Sequence, residues 1–191
     1  MIKHANWIRS PISLGEACPV FQKAFPVSKK VKDSRLYISA LGVYEAKLNG
    51  RRVGSFVLAP GWTAYGSRVQ FQEYAVTDLM ECENTLEITL GKGWCFGELG
   101  WNPSLVEPYP YPVPAIICAL HTVFADGTEE TIYSDESFLT AKSPILFSEI
   151  YHGETYDANL VPTVWLPAVV CDYPKDILVP QQGDEVCEIE E

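Results

Sequence analysis

The chain has 191 residues, of which 47% are hydrophobic, and this is enough to bury the core of one ordinary domain. Lys and Arg total 14 against 25 Asp and Glu, and the resulting formal charge of −11 would repel a polyanionic partner such as nucleic acid. Neutral sugars remain compatible with this charge, because they bind through aromatic faces and directional hydrogen bonds.

The N-terminal segment contains no apolar run long enough for the hydrophobic region of a signal peptide. No later segment is a continuous apolar stretch of membrane-spanning length. For the chain as given, we therefore expect a cytoplasmic protein without a membrane partner.

Apolar residues alternate over short runs that Gly, Pro, Asn and Asp separate, and helical periodicity is nearly absent. This pattern predicts an all-β protein, a jelly-roll β-sandwich in which two antiparallel sheets bury their apolar faces against each other. The predicted strands are Val20–Val27, Arg35–Leu41, Val43–Leu48, Arg68–Ala75, Thr85–Leu90, Ala115–Phe124, Glu129–Ser134 and Ile145–Tyr151.

Two tight turns are predicted between these strands. Asn49-Gly50 follows an alternating strand, and both residues tolerate the positive φ of a two-residue type I′ hairpin turn, after which Arg51 begins the return strand. The segment Ala125–Thr128 predicts a second hairpin, in which Gly127 takes the left-handed position.

The segment between Trp94 and Pro114 combines glycines, prolines and aromatic residues, which predicts a long irregular loop. Sugar sites use such a mixture, because a pyranose face stacks on an aromatic ring while carboxylates and amides bind hydroxyl groups. The loop therefore contributes the first candidate contacts, Trp94, Glu98, Trp101 and Asn102. The alternative is that its aromatic residues close one end of the sandwich or dock against another domain.

Six cysteines are scattered without a CxxC pair, and they are expected to be reduced and mostly buried. The three histidines are too far apart in sequence for a recognisable metal motif, and neither a GxSxG elbow nor a phosphate-binding glycine loop occurs. We expect no metal, no other cofactor and no catalytic residue in this chain.

Three stretches together resemble the N-terminal β-sandwich domain of bacterial α-L-rhamnosidases, glycoside hydrolases of family 78. They run from Leu36 to Leu79, from Leu90 to Trp101 (LGKGWCFGELGW) and from Tyr151 to Leu160 (YHGETYDANL). The resemblance implies a galactose-binding-domain-like sandwich that is accessory to catalysis. It also implies a longer parent that hydrolyses terminal rhamnose, with the catalytic carboxylates in an α/α barrel downstream in the same chain.

The resemblance adds candidate residues in two further motifs. Gly61–Tyr65 contributes Trp62 and Tyr65, but Ala64 stands where relatives often carry an acidic residue of a calcium site, and alanine has no side-chain oxygen to bind calcium. His152–Asp157 contributes Glu154, Tyr156 and Asp157. We expect the two carboxylates to have a structural or interdomain use rather than to act as an acid and base pair.

The resemblance also predicts the domain organisation, with an accessory sandwich at 1–170 followed by a linker and the truncated start of another domain at 171–191. The leading hypothesis is a non-catalytic domain that positions rhamnose-containing carbohydrate beside the catalytic barrel. The alternatives are a free-standing lectin-like module and a purely structural spacer.

Overall fold

The computed structural model describes residues 1–101 and 109–188. Alternating apolar residues place one face of each of two sheets in a shared core, as in Glu83–Gly91, where every second side chain is buried. The strands are β1 Trp7–Arg9, β2 Pro19–Pro26, β3 Val31–Leu41, β4 Val43–Leu48, β5 Arg51–Arg52, β6 Val69–Ala75, β7 Glu83–Gly91, β8 Ala115–Phe124, β9 Glu129–Tyr133, β10 Leu139–Lys142, β11 Ile145–Glu149, β12 Gly153–Tyr156, β13 Leu166–Pro167, β14 Val169–Cys171 and β15 Leu178–Pro180.

Helical structure within the described residues is limited to short segments. The α-helix α1 spans Gly93–Phe96, and 3-10 turns span Ile2–His4 and Thr77–Leu79. No helix of the described residues has the length and apolar character needed to cross a membrane.

The strands form two large sheets and one separate hairpin. The larger sheet has the order β14-β1-β8-β3-β6-β15, with β9 also paired to β8, and the smaller sheet has the order β13-β10-β2-β7-β4-β5. Within the described residues, strands β11 and β12 pair only with each other. Apart from the parallel pair β6–β15, the pairings are antiparallel. The predicted all-β sandwich is confirmed.

The core between the sheets is built from residues of both, including Phe21, Leu36, Ile38, Leu86 and Ile88. These side chains are almost completely buried, and burial of this kind contributes about 1.5–3 kcal/mol for each large apolar side chain.

A second core lies on the outer face of the larger sheet. Strand β8 shows how it arises, because Ile116 belongs to the core between the sheets while its neighbour Ile117 belongs to the second core. Trp7 of β1 and Leu178 of β15 also contribute to it, and residues outside the sheet, such as Tyr65 and Cys95, cover this face. The indole Nε1 of Trp7 donates to the carbonyl of Pro174 at 3.1 Å, which ties the first strand to the segment before β15.

Each of the eight predicted strands has a counterpart, with ends that agree to within a few residues. The Asn49-Gly50 turn is confirmed, because Leu48 pairs with Arg51 and both turn residues have positive φ, 56° and 75°. Gly127 has the predicted left-handed φ of 83°. The predicted strand Ile145–Tyr151 ends earlier, at Glu149, because a turn reverses the chain into β12.

The predicted boundary at residue 170 stays a prediction. Beyond it, β14 pairs with β1 and β15 pairs with β6, so the segment up to Pro180 adds strands to the larger sheet. The cysteines are free, and of the six only Cys82 and Cys187 are exposed, as expected for reduced and mostly buried thiols. Burial raises the pKa of the Cys118 thiol to about 12, which keeps it protonated at neutral pH.

Candidate functional site

The β11–β12 hairpin and the segment after α1 meet at one end of the sandwich. Strand β11 ends at Glu149, which pairs with Gly153, and the three residues between them form the turn. Gly153 adopts a φ of 82°, a left-handed conformation that glycine accepts without strain. The turn presents Tyr151 and His152 beside Glu98 and Trp101. We call these four residues the Trp101 surface.

Trp101 is the most exposed aromatic residue of this surface, with 75% of its area open to solvent. Its ring contacts the half-buried Tyr151 edge to face, with ring centroids 5.4 Å apart and planes at 66°. Beside this pair, His152 Nε2 donates a hydrogen bond to Glu98 Oε2 at 3.0 Å. An open indole next to a fixed carboxylate and an imidazole provides an apolar face and polar hydrogen-bonding groups, the combination that a sugar ring requires.

Glu149 holds the two halves of the Trp101 surface together. Its side chain is only 7% exposed, and its oxygens accept hydrogen bonds from the backbone N–H groups of Glu98 at 3.1 Å and Tyr151 at 2.7 Å. Gly97 lies so close to this carboxylate that a Cβ atom would collide with it. Glu149 therefore positions the surface residues without reaching the surface itself, and the sequence analysis did not identify it.

The aromatic residues of the predicted loop divide into two groups. Trp94, Phe96 and Tyr109 pack against the second core, and Tyr111 is buried within it. Only Trp101 extends outward among the loop aromatics that the structure describes. The residues that pack at the second core thus fit the alternative interpretation, in which the loop aromatics close one end of the sandwich. For Trp101, sugar contact or docking against another domain stays a prediction.

Tyr65 lies inside the protein rather than at the surface where a sugar could touch it. Its side chain is fully buried, and its ring contacts Tyr109 edge to face with centroids 5.0 Å apart. Its hydroxyl donates to the Gly61 carbonyl at 3.1 Å, and burial raises the pKa of that hydroxyl above its usual value. Trp62, three residues earlier, is by contrast 58% exposed.

Glu154 and Tyr156 lie on strand β12, and Asp157 directly follows this strand. Glu154 and Tyr156 are open to solvent. Asp157 Oδ1 accepts a hydrogen bond from the Asn159 backbone N–H at 3.0 Å, so this carboxylate caps a turn, as expected for a structural use. Asn102, also predicted as a contact, lies outside the described residues.

A cleft of about 340 Å³, which the sequence did not indicate, lies beneath the segment that joins β1 to β2. Its lining is mainly apolar and includes Ile12, Leu14 and Phe96, and an ion pair between Lys92 and Glu16 lies at the same place. Polar side chains also line it, among them Arg9, Ser10 and Ser13.

The comparison with protein families decides the assignment of the chain. The model described as the Alpha-L-rhamnosidase N-terminal domain matches residues 29–189. The chain belongs to this family. An α-L-rhamnosidase of Formosa agariphila is 40% identical over 146 residues, which is 75% of this chain and 16% of that protein.

Solved α-L-rhamnosidase structures share the fold of this N-terminal domain. The enzyme of Aspergillus terreus superposes with a TM-score of 0.82 at 33% identity, covering 91% of this chain and 22% of that one. The enzyme of Streptomyces avermitilis, solved in complex with L-rhamnose, superposes with a TM-score of 0.73 at 38% identity, covering 82% and 16%. The α-L-rhamnosidase N-terminal domain thus spans less than a quarter of each of these relatives.

The described parts of this α-L-rhamnosidase N-terminal domain contain no obvious set of metal ligands. There, no group of three or more His, Cys, Asp and Glu side chains could hold an ion. Ala64 is exposed beside Trp62 and has no oxygen ligand in its side chain.

Proposed function

We propose that this chain is a non-catalytic domain of a longer α-L-rhamnosidase, in which it positions a rhamnose-containing carbohydrate beside a catalytic α/α-barrel domain of the same parent chain. The observation that carries the proposal is the Trp101 surface. An indole that is 75% exposed lies in the segment after α1 and packs against Tyr151 of the hairpin turn, and a buried carboxylate joins that turn to the same segment.

This arrangement suits binding because the surface is organised before a ligand arrives. An exposed aromatic ring that already packs against Tyr151 loses less conformational freedom on contact with a ligand, so more of the interaction energy is available for binding. A group that places substrate without reacting with it lowers the entropic part of the reaction barrier. We assign this role to Trp101, with Glu98 and His152 as hydrogen-bonding neighbours.

The carboxylates of the β12 region do not suggest a role in bond cleavage. Glycoside hydrolysis needs an acid and a second carboxylate placed on either side of the scissile bond. Asp157 is engaged in capping its own turn, and Glu154 is an exposed residue on the strand. We therefore expect no hydrolysis of an aryl rhamnoside by the isolated chain. Hydrolysis that is lost in Glu154→Gln would overturn the non-catalytic assignment.

The positioning role is tested in the full-length parent enzyme. Trp101→Ala is expected to raise KM for a rhamnoside about three- to tenfold, the effect of losing one aromatic contact, while leaving the fold intact. Trp62→Ala is the matched control, since it removes another exposed indole, and we expect it to leave KM unchanged. An effect of Trp62→Ala alone, or of neither variant, would overturn the assignment to the Trp101 surface.

A second candidate is a lectin-like module that binds rhamnose by itself, and the exposed indole of Trp101 favours it to the same extent. Titration of the purified chain with L-rhamnose, with and without calcium, separates the two. Millimolar or tighter binding that Trp101→Ala abolishes supports the lectin. Absence of binding, together with a downstream catalytic domain encoded after residue 191, supports positioning within the parent.

A further inference from the structure

The outer face of the larger sheet bears a row of partly exposed aromatic side chains. Leu36 and Ile38 point into the core between the sheets, so Tyr37 between them points outward. It contacts Phe71 on the adjacent strand β6, with ring centroids 6.5 Å apart and planes at 59°. Both rings are half-buried and pack at the margin of the second core, which leaves part of each ring open to solvent.

A recess of about 280 Å³ lies beside this aromatic pair. Its other walls come from β6, from the end of β15 and from the segment after β15, and they consist of Gln72, Glu73, Pro180, Gln181 and Glu185. Two aromatic rings together with carboxylates and amides give the recess a mixed apolar and polar lining.

The polar groups of the recess are held in place by neighbours. Arg35 donates to the Glu73 carboxylate at 2.6 Å and to Asp33 at 3.0 Å, so Glu73 is oriented by a guanidinium that is itself fixed. Burial and the nearby Glu73 carboxylate raise the pKa of the Tyr37 hydroxyl, which therefore remains a protonated donor at neutral pH.

A hydrogen-bond chain fixes the side-chain amide of Gln181, which lines the recess at the edge of β6 on the side of the core between the sheets. The hydroxyl of Tyr44 donates to Gln72 Oε1 at 2.7 Å, and Gln72 Nε2 donates to Gln181 Oε1 at 2.6 Å. Gln72 is almost fully buried, so this chain defines the orientation of the half-exposed Gln181 amide and leaves its N–H groups available.

We propose that the recess bounded by Tyr37, Phe71, Glu73 and Gln181 is a binding site for a neutral pyranose. The open aromatic surface receives the apolar face of the ring, while the Glu73 carboxylate accepts from hydroxyl groups and the Gln181 amide donates to them. Glu73 and Glu185, on a chain of net charge −11, select against an acidic sugar.

This site shares no residue with the Trp101 surface, and the inference does not rest on the proposed function. One surface is built on the β11–β12 hairpin and the segment after α1, and the other is built on β3, β6 and the end of β15 with the segment after it. Sugar binding at one of these surfaces therefore does not require sugar binding at the other.

The test is an NMR titration of the ¹⁵N-labelled chain with L-rhamnose, D-galactose and D-glucose, and with D-glucuronate as the acidic counterpart. At least one neutral sugar is expected to shift the amide signals of residues 37, 71, 73 and 181 with saturation in the millimolar range. Phe71→Leu keeps an apolar side chain but removes the ring, and Glu73→Gln removes the charge. Each is expected to weaken binding about three- to tenfold.

Trp101→Ala is the control and is expected to leave this binding unchanged. The inference is overturned if no sugar shifts these amides, if D-glucuronate binds as tightly as D-glucose, or if the shifts are confined to the Trp101 surface. The last result would still support the proposed function, so the two failures are distinguishable.

Discussion

The buried carboxylate of Glu149 offers a sharp test of how the Trp101 surface is held. Glu149→Gln preserves the size of the side chain but replaces one carboxylate oxygen with an NH₂ group. The two oxygens each accept a backbone N–H, from Glu98 at 3.1 Å and from Tyr151 at 2.7 Å. The amide can accept only one of these, and its NH₂ group then faces the other N–H donor to donor.

The expected loss of stability in Glu149→Gln follows from the one hydrogen bond that this substitution removes. A hydrogen bond to a charged group contributes about 1.5–3 kcal/mol, and at 7% exposure solvent has little access to replace it. We expect the free energy of unfolding to fall by roughly 2–3 kcal/mol in Glu149→Gln. Glu149→Ala, which removes both bonds, should cost about 3–5 kcal/mol.

Urea unfolding followed by circular dichroism measures this difference, with the melting temperature as a second readout. A loss of about 2–3 kcal/mol corresponds to a fall of roughly 4–12 °C for a domain of this size. Glu136→Gln is the matched control, because Glu136 is exposed, and it should change stability by less than ~0.5 kcal/mol. A Glu149→Gln midpoint equal to that of the control would refute the role assigned to Glu149.

Three further predictions concern the sandwich itself. The buried Thr140 Oγ1 has no hydrogen-bond partner among the described residues, so Thr140→Val should raise the melting temperature, with a gain of about 1 kcal/mol; a fall would contradict this. Gly54 has a φ of 71° and abuts the Tyr74 ring, so Gly54→Ala should lower the free energy of unfolding by about 1–3 kcal/mol, measured as a lower urea midpoint. An unchanged midpoint would show that the ring can move aside. Hydrogen bonds from Thr128 hold the pKa of the Asp126 carboxyl at about 2, so the stability that this carboxylate contributes should be complete above its usual pKa and lost as pH falls through about 2. Thr128→Val should raise this pKa in an NMR titration. An unchanged pKa would argue against the Thr128 hydroxyl as the cause.

The parts of the fold that sequence predicted are those that local chemistry determines. Asn49-Gly50 is sufficient to specify its own turn, since both residues accept positive φ at little cost. Strand β15 was not predicted, because its identity as a strand depends on pairing with β6, more than a hundred residues away in the chain. A three-residue run that contains proline carries no period-two signal of its own.

The difference between local and long-range interactions also explains why the burial of Tyr65 and the role of Glu149 were not predicted from sequence. Tyr65 stands in a glycine-containing loop and looks exposed from sequence, but its burial results from Tyr109 and Tyr111, which are distant in the chain. Glu149 has one local signal, since it accepts from the N–H group two residues later, as acidic residues before turns often do. Its second bond, to Glu98, depends on the tertiary fold.

The second core has a consequence for how the chain folds during synthesis. Its members begin at Ile2 and extend to Leu178, and the Trp7 indole is bonded to the carbonyl of Pro174. A nascent chain leaves the ribosome N-terminus first, so the core between the sheets can begin to form before Pro174, the hydrogen-bond partner of Trp7, has been synthesised. Until the segment around Leu178 has left the ribosome, Trp7 lacks the Pro174 carbonyl and β6 lacks its partner β15, so this second core can be completed only after nearly the whole domain has been synthesised.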